Sequence, residues 1–123
     1  MSDTPAAWTP DELGRRAAVE TGGTVVASQR GRRDARLIAW AKRTGRFALV
    51  DRGTPWGNPH VLPRRHTPEQ RLEVIRQYRE HLLGRPDLLA RLPELRGKVL
   101  VCWCHPLPCH GDVLLELLGD VGR

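Results

Sequence analysis

The sequence predicts one small α/β domain, in which a mostly parallel sheet is flanked by helices and a further helix is appended at the N-terminus. Two observations carry this prediction. Short β-branched runs alternate with stretches of helical periodicity. Residues 98–104 (KVLVCWC) are apolar on both faces, as expected of an internal strand in a covered parallel sheet. The length of 123 residues suffices for one modest core.

Residues 1–23 are predicted to form the helical appendage, and residues 24–123 the α/β domain. Thr9 can cap the appended helix, Pro10 suits its first turn, and Glu12 completes a capping box. The first residues of the domain, 24–28 (TVVAS), are a β-branched run that predicts its first strand.

The middle of the chain predicts a helix, a strand and a longer helix. Residues 33–43 have a weak amphipathic face formed by Leu37, Ile38 and Ala41, and residues 46–50 (RFALV) follow as a strand. A second capping box at Thr67 opens a helix that is expected to continue to about Leu83. Its apolar stripe is predicted to be Leu72, Ile75, Tyr78 and Leu82.

The last third of the chain predicts a short helix, the central strand and a closing helix. Residues 86–92 form the short helix, which Pro93 is expected to end. Strand 98–104 follows, and residues 109–121 then have a helical apolar face.

Positive charge is concentrated in one region of the chain. Between Arg30 and Arg65 there are ten basic residues against two aspartates, a local net charge of +8 in a chain of net charge +6. Arginine predominates, and its planar guanidinium suits phosphate, so a nucleotide or a nucleic acid is an expected partner of this region. The alternative interpretation is a solvated, solubilising surface.

Membrane association is not predicted. No apolar run approaches the roughly 20 residues of a bilayer span, and the N-terminus lacks the pattern of a signal peptide. The three cysteines all lie between residues 102 and 109, so they cannot crosslink distant parts of the fold. We therefore expect a cytoplasmic protein whose thiols serve local chemistry or metal binding.

The cysteines follow the strand that is predicted to be central. Cys102 and Cys104 lie two residues apart on that strand, and Cys109 and His110 open the closing helix, where backbone amides favour an anion. Asp112 lies in the same helical turn and could bind a ribose hydroxyl or activate water. Because ligands of open α/β sheets bind at the carboxyl ends of strands, these side chains are expected to meet at one site.

Three chemical interpretations of this cluster remain open. Cys109, with assistance from His110 and Cys104, could act as a nucleophile or an acid-base group. Alternatively, a tetrahedral zinc site could be formed, although adjacent Cys109 and His110 are an unusual spacing. Its four ligands would be Cys102, Cys104, Cys109 and His110. In the third interpretation the thiols are only small buried apolar groups.

The loop after the second strand is the other candidate part of the site. Residues 51–59 contain two glycines and two prolines, so the loop is expected to hold a defined shape and to expose Arg52, Trp56 and Asn58. In that case Arg52 and the amides near Gly111 would hold an anion, Asn58 would orient a substrate, and Trp56 would stack on a base. The alternative is a rigid connection in which Trp56 is buried in the core.

These motifs resemble one family, domain of unknown function 4326, over about residues 46–118. The residues that carry the resemblance are Arg52, Trp56-Gly57-Asn58-Pro59, the helix 71–83, Leu95-Arg96-Gly97-Lys98, Cys102-Trp103-Cys104 and Cys109-His110-Gly111-Asp112-Val113-Leu114. His60 stands where the family usually has Phe. The resemblance implies a compact Rossmann-like α/β domain of prokaryotic and phage genomes whose activity is not established.

The end of the chain is also similar, more distantly, to the pattern of domain of unknown function 488. In that pattern a cysteine on a strand is followed by Cys-His-Arg at the start of a helix. Gly111 takes the place of the arginine here.

The function predicted from the sequence is that of a small cytoplasmic enzyme. It would hydrolyse, or transfer a group of, a nucleotide, a nucleoside or a component of a nucleic acid, and its ligand would bind between the Arg52 loop and the Cys-His segment. The alternative from another class is a zinc-stabilised module that binds nucleic acid through Arg30 to Arg65 without catalysis. Metal content and the stability of the protein in chelator would distinguish the two.

Overall fold

A computed structural model of the chain describes residues 8–51, 53–60, 63, 65–103 and 110–119. In these residues three strands alternate with five α-helices, and one 3-10 helix (Leu92–Leu95) precedes the last strand. The α-helices and strands are α1 (Pro10–Glu20), β1 (Val25–Ser28), α2 (Ala35–Arg43), β2 (Phe47–Leu49), α3 (Pro68–Leu83), α4 (Pro86–Arg91), β3 (Val99–Cys102) and α5 (His110–Leu118).

The sheet is parallel throughout, and its strand order is β1-β3-β2. Val99 of β3 pairs with Val25 on one side and with Phe47 on the other, so β3 is the central strand. All four residues of β3 are buried, because both faces of the sheet are covered. The predicted α/β class and the central position of this strand are confirmed.

Each face of the sheet packs on its own group of helices. On the first face, which α1 and α2 cover, the buried apolar residues are Trp8, Val19, Ala27, Leu37, Trp40, Ala41, Val99 and Val101. On the second face, which α3, α4 and α5 cover, they are Val26, Val50, Trp56, Tyr78, Leu82, Leu88, Leu92, Leu95, Leu100, Cys102, Val113, Leu114 and Leu118. Alternate residues of β3 therefore point to opposite layers, as the pleat of a strand requires.

Helix α1 is part of the first layer. Its capping box is present, since the Thr9 hydroxyl accepts a hydrogen bond from the Glu12 amide and the Glu12 carboxylate accepts one from the Thr9 amide. Trp8 and Val19 are buried in the same cluster as residues of the sheet. The appended helix therefore packs on the domain through apolar contacts. The sequence did not predict these contacts, because the helix has few apolar residues.

The largest departures from the sequence prediction lie in the helices. Leu72 was placed on the buried stripe of α3, and this is wrong, because the residue is 57% exposed at the first turns of the helix while Tyr78 and Leu82 are fully buried. The short helix ends at Arg91, within one residue of the prediction, but Pro93 itself lies inside the 3-10 helix Leu92–Leu95 that follows. Proline is compatible with the first turn of a helix, where its missing N–H has no partner to lose.

Among the described residues no helix combines the length and the apolar character that crossing a bilayer requires.

Candidate functional site

At the carboxyl edge of the sheet, the connections that follow the adjacent strands β1 and β3 leave toward opposite faces. After β1 the chain passes to α2 on the first face, and after the adjacent β3 it passes to α5 on the second face. The Gln29 amide donates to the Cys102 carbonyl oxygen at 2.8 Å, so the two strand ends remain joined where the connections diverge. In open α/β sheets this divergence creates the crevice in which ligands bind.

A cavity lies beside this point. Its volume is about 270 Å³, and it is bounded by the end of β1, the loop that follows and one side of α2. We call it the edge cavity; its lining residues are Ser28, Gln29, Gly31, Ala35, Ile38, Ala39 and Lys42. Its volume is slightly below the range of about 300 to 1,000 Å³ that is usual for small-molecule sites.

The loop between β1 and α2 is held in one shape by hydrogen bonds. The fully buried carboxylate of Asp34 accepts from the Ser28 amide at 2.8 Å and from the Arg15 guanidinium. The Ser28 hydroxyl accepts from the Arg30 amide at 3.1 Å. Gly31 has φ of +64°, a left-handed conformation that glycine adopts without strain. One wall of the edge cavity is therefore a turn whose conformation is fixed by hydrogen bonds.

The ion pair between Arg15 and Asp34 fixes this loop to α1. A second guanidinium nitrogen of Arg15 donates to the Val26 carbonyl oxygen at 2.9 Å, so one side chain contacts a helix, a strand and a loop. Burial of the guanidinium disfavours its charge, but hydrogen bonding and attraction from Asp34 outweigh burial, with a smaller contribution from Asp11, and the pKa of Arg15 is raised. Arg15 therefore stays positively charged and neutralises the buried carboxylate of Asp34.

The N-terminus of helix α2 is capped by a side chain of helix α1. Asp34 precedes the helix but makes no side-chain capping bond to it. Instead the buried Glu12 carboxylate of α1 accepts from the amides of Arg36 at 3.1 Å and Leu37 at 3.0 Å. Two of the four amides that a helix start leaves without an intrahelical partner are satisfied in this way.

The side chains of the basic region differ in their surroundings. Arg30, Arg32 and Arg33 flank Gly31 and are exposed beside the edge cavity. Lys42 lines the edge cavity itself, and its Nζ lies 5.1 Å from the centre of the Phe47 ring. By contrast, Arg46 packs over the Trp40 ring at 5.0 Å in the first layer.

The start of α5 contacts the end of β2, and Tyr78 links this contact to the loop after β2, whereas a ligand cleft between that loop and the Cys-His segment remains a prediction. The Nε2 of His110 is hydrogen bonded to the Val50 carbonyl oxygen, and the His110 ring lies edge-on to Tyr78 with 5.2 Å between centroids. The Tyr78 hydroxyl donates to the Trp56 carbonyl oxygen at 2.6 Å. Tyr78 of α3 therefore connects the two segments.

The predicted exposure of Trp56 and Asn58 is wrong. Trp56 is 4% exposed and belongs to the core of the second layer, where Arg91 lies 5.9 Å from its ring centre. The Asn58 amide donates to the Val74 carbonyl oxygen at 3.2 Å, and its oxygen accepts from the His60 amide at 2.9 Å. Both side chains shape the loop, so neither presents the free surface that base stacking or substrate orientation would need.

The remaining predicted site residues are only partly placed. Arg52, Cys104 and Cys109 lie outside the described residues. Gly111 is buried in the first turn of α5, whereas Asp112 in the same turn is exposed.

The thiol that the structure describes lies in the core. Cys102 is fully buried among the apolar residues of the second layer. Within residues 8–51, 53–60, 63, 65–103 and 110–119, no group of three or more His, Cys, Asp and Glu is arranged to hold a metal ion. Two of the four ligands predicted for zinc lie outside these ranges, so the zinc site remains a prediction.

Sequence reasoning missed the edge cavity. The available signal was local: strand 24–28 is followed by Gly31 and then by the helix that carries Lys42. What could not be read was the strand order, which brings the end of β3 beside the end of β1.

The fold and the edge cavity define a small three-layer α/β protein with a cleft at the carboxyl edge of a parallel sheet. Residues 35–120 match the family described as a domain of unknown function (DUF4326), and the chain belongs to this family. The match begins at α2, earlier than the resemblance noted in the sequence, and leaves α1 and β1 outside.

A curated relative comes from Enterobacteria phage T4, where it is described as an uncharacterized 12.4 kDa protein in the nrdA-td intergenic region. It is 33% identical over 71 residues, which are 57% of this chain and 65% of the phage protein, so the chain spans just under two thirds of this relative. No solved structure matches the chain significantly.

Proposed function

We propose that this domain binds an anionic, nucleotide-like small molecule at the carboxyl edge of its sheet. One observation carries the proposal: the edge cavity, the divergence of the connections after β1 and β3 and the exposed arginines around Gly31 occur together. Each feature alone is common in α/β proteins. Their coincidence is typical of a site where phosphate meets backbone and basic side chains.

The charges around the edge cavity favour a phosphorylated ligand. Arg30 and Arg32 can each offer a guanidinium fork to phosphate oxygens, while Lys42 adds a compact charge inside the lining. The guanidinium of Arg33 is already paired with Asp11 at 3.6 Å and with Asp34 at 3.7 Å. The buried Asp34 does not oppose an anion strongly, because Arg15 neutralises it. A cavity of about 270 Å³ suits a small molecule, so we favour a nucleotide over a nucleic-acid strand.

Any reaction on this ligand is assigned to the segment that joins β3 to α5. His110 begins α5, and Cys104 and Cys109 precede it in the sequence. The hydrolysis or group transfer that the sequence suggests would use the thiol of Cys109 as nucleophile or acid-base group, with Asp112 exposed nearby in α5. Cys102, which is sealed in the core, has no part in this proposal.

Binding is tested by titrating the full chain with AMP and with adenosine in a calorimeter. We expect AMP to bind and adenosine to bind much more weakly, and the affinity for AMP to fall as NaCl is raised, because charge attraction is screened by salt. Lys42→Ala is expected to weaken AMP binding about tenfold.

Lys98→Ala provides the matched control, since Lys98 does not line the edge cavity and the change in charge is the same. Equal loss in the two variants would indicate a general charge effect and would overturn the assigned site. Equal affinities for AMP and adenosine would overturn the anionic ligand.

A further inference from the structure

Trp103 is the exception among the tryptophans of this chain. The other three, Trp8, Trp40 and Trp56, are at most 5% exposed, whereas Trp103 is 52% exposed. It directly follows the last residue of the central strand. A large aromatic surface is thus presented to solvent at the carboxyl edge of the sheet.

The register of the sheet places the backbone of Trp103 next to that of Gln29, which lines the edge cavity. Ser28 at the end of β1 pairs with Cys102 at the end of β3, so the residues that follow the two strands are Gln29 and Trp103. Gln29 lines the edge cavity, and its amide donates to the Cys102 carbonyl oxygen, one peptide before Trp103.

Trp103 lies at the carboxyl edge of the sheet, where the chain leaves β3. Strand β3 ends at Cys102, and Trp103 is the first residue of the bend that follows it. Helix α2 supplies Lys42 to the edge cavity. An exposed aromatic surface therefore follows the strand end that is hydrogen bonded to Gln29, a residue of the edge cavity.

We infer that Trp103 is the stacking surface for a planar heterocyclic base whose phosphate is held at the edge cavity. This inference depends on the proposed function and narrows it, because the ligand class becomes a nucleotide that is recognised at both ends. Stacking on an exposed indole tolerates any base, since every base has a π face. The base-stacking role that the sequence suggested for Trp56 is thereby assigned to a residue that is accessible.

Intrinsic fluorescence gives a direct readout, because Trp103 is the tryptophan that a ligand in solution can reach. Titration of the full chain with AMP is expected to quench the emission, and Trp103→Leu should remove this quenching while the buried tryptophans still emit. Ribose 5-phosphate, which lacks a base, is expected to bind without quenching.

Affinity provides the second readout. Trp103→Leu should weaken AMP about tenfold, to the affinity of ribose 5-phosphate, and leave the affinity for ribose 5-phosphate unchanged. Trp103→Phe should restore most of the loss, because a smaller ring can still stack. Leu72→Ala, which truncates another exposed apolar residue, should match the parent protein.

The outcomes separate this inference from the proposed function. If Trp103→Leu binds AMP as the parent does while Lys42→Ala does not, stacking on Trp103 is overturned and the anion site stands. If neither AMP nor ribose 5-phosphate binds the parent protein, both proposals are overturned. Equal losses of both ligands in Trp103→Leu would also overturn stacking, because the base would then make no difference.

Discussion

The imidazole Nε2 of His110 lies 2.5 Å from the carbonyl oxygen of Val50, 60 residues earlier in the chain. A carbonyl oxygen can only accept, so Nε2 must carry the hydrogen, and in the neutral ring Nδ1 is then the acceptor. This contact fixes the start of α5 to the end of β2. Any proton transfer by a neutral His110 in this arrangement would therefore use Nδ1.

The first prediction concerns the stability that this histidine contributes. We expect His110→Ala to lower the free energy of unfolding by about 1 to 3 kcal/mol, because a hydrogen bond to a carbonyl and the packing on Tyr78 are both lost. Urea denaturation followed by circular dichroism measures the change. His81→Ala is the control, since that ring stacks on the same tyrosine at 6.3 Å. A loss in His110→Ala no larger than in His81→Ala would contradict the role of the carbonyl contact.

Tyr78 supplies a second test of how the loop after β2 is held. Its buried hydroxyl donates to the Trp56 carbonyl oxygen, so Tyr78→Phe leaves that oxygen without this donor. We expect a cost of about 1 to 3 kcal/mol in the free energy of unfolding. Since the ring is retained, packing against His110 should persist, and a cost below about 0.5 kcal/mol would show that the bond contributes little.

Arg15 and Asp34 form a buried ion pair, so we expect a strong coupling energy between them in the stability of the protein. Arg15→Met leaves a fully buried carboxylate without its main counter-charge and is expected to cost about 3 to 5 kcal/mol in unfolding free energy. Asp34→Asn introduced into the same protein removes the stranded charge and should recover part of the loss. A double-mutant cycle measures the coupling, and additive effects of the two substitutions would argue against it.

Asp87 has a predicted dependence on pH. The hydrogen bond from Arg85, supported by its charge, lowers the pKa of Asp87 from 3.8 to about 2 in the folded protein. A depressed carboxyl pKa contributes stability that is present above pH 4 and disappears as the pH falls toward 2. Carboxyl carbon NMR should show this shifted midpoint.

Arg85→Ala should return the midpoint of Asp87 to near its ordinary value. The pair is exposed, so the effect on overall stability is expected to be small. An unchanged midpoint in this variant would show that another group lowers the pKa.

The thiol of Cys102 should be protected from thiol reagents in the native protein. Cys102 is fully buried in the second layer, so in the native protein it is expected to resist a thiol reagent such as DTNB. In denaturant all three cysteines should react. The Cys102→Ala variant should therefore react with DTNB in the native state to the same extent as the parent protein, and a smaller native reaction in that variant would contradict the burial of Cys102.

Local signals accounted for most of the secondary structure. Both capping boxes depend on residues three positions apart, so Thr9 with Glu12 and Thr67 with Gln70 could be recognised in the sequence. The central strand was recognisable because a strand covered on both faces has no polar side.

The candidate site was harder to predict because it depends on contacts between distant residues. Trp56 lies in a loop rich in glycine and proline, and its ring is buried by packing in the core of the second layer, where Arg91 covers it. The Tyr78 hydroxyl donates to the Trp56 carbonyl oxygen, and no local pattern contains any of these contacts. The edge cavity follows from the strand order, and Trp103 is exposed where a continuing strand was expected. Leu72 matched the helical period but lies beyond the part of α3 that contacts the core.

The hydrogen bonds from Arg36 and Leu37 to Glu12 have a consequence for evolution within the family. The acceptor belongs to a helix that precedes the family-matched residues, while both donors lie inside them. Backbone donors in the interior rarely remain unsatisfied. A homologue that begins at the strand corresponding to β1 must therefore satisfy the same amides differently, with an oxygen from its own turn, a water molecule or the ligand itself, and the acquisition or loss of this helix would change the environment of the cleft.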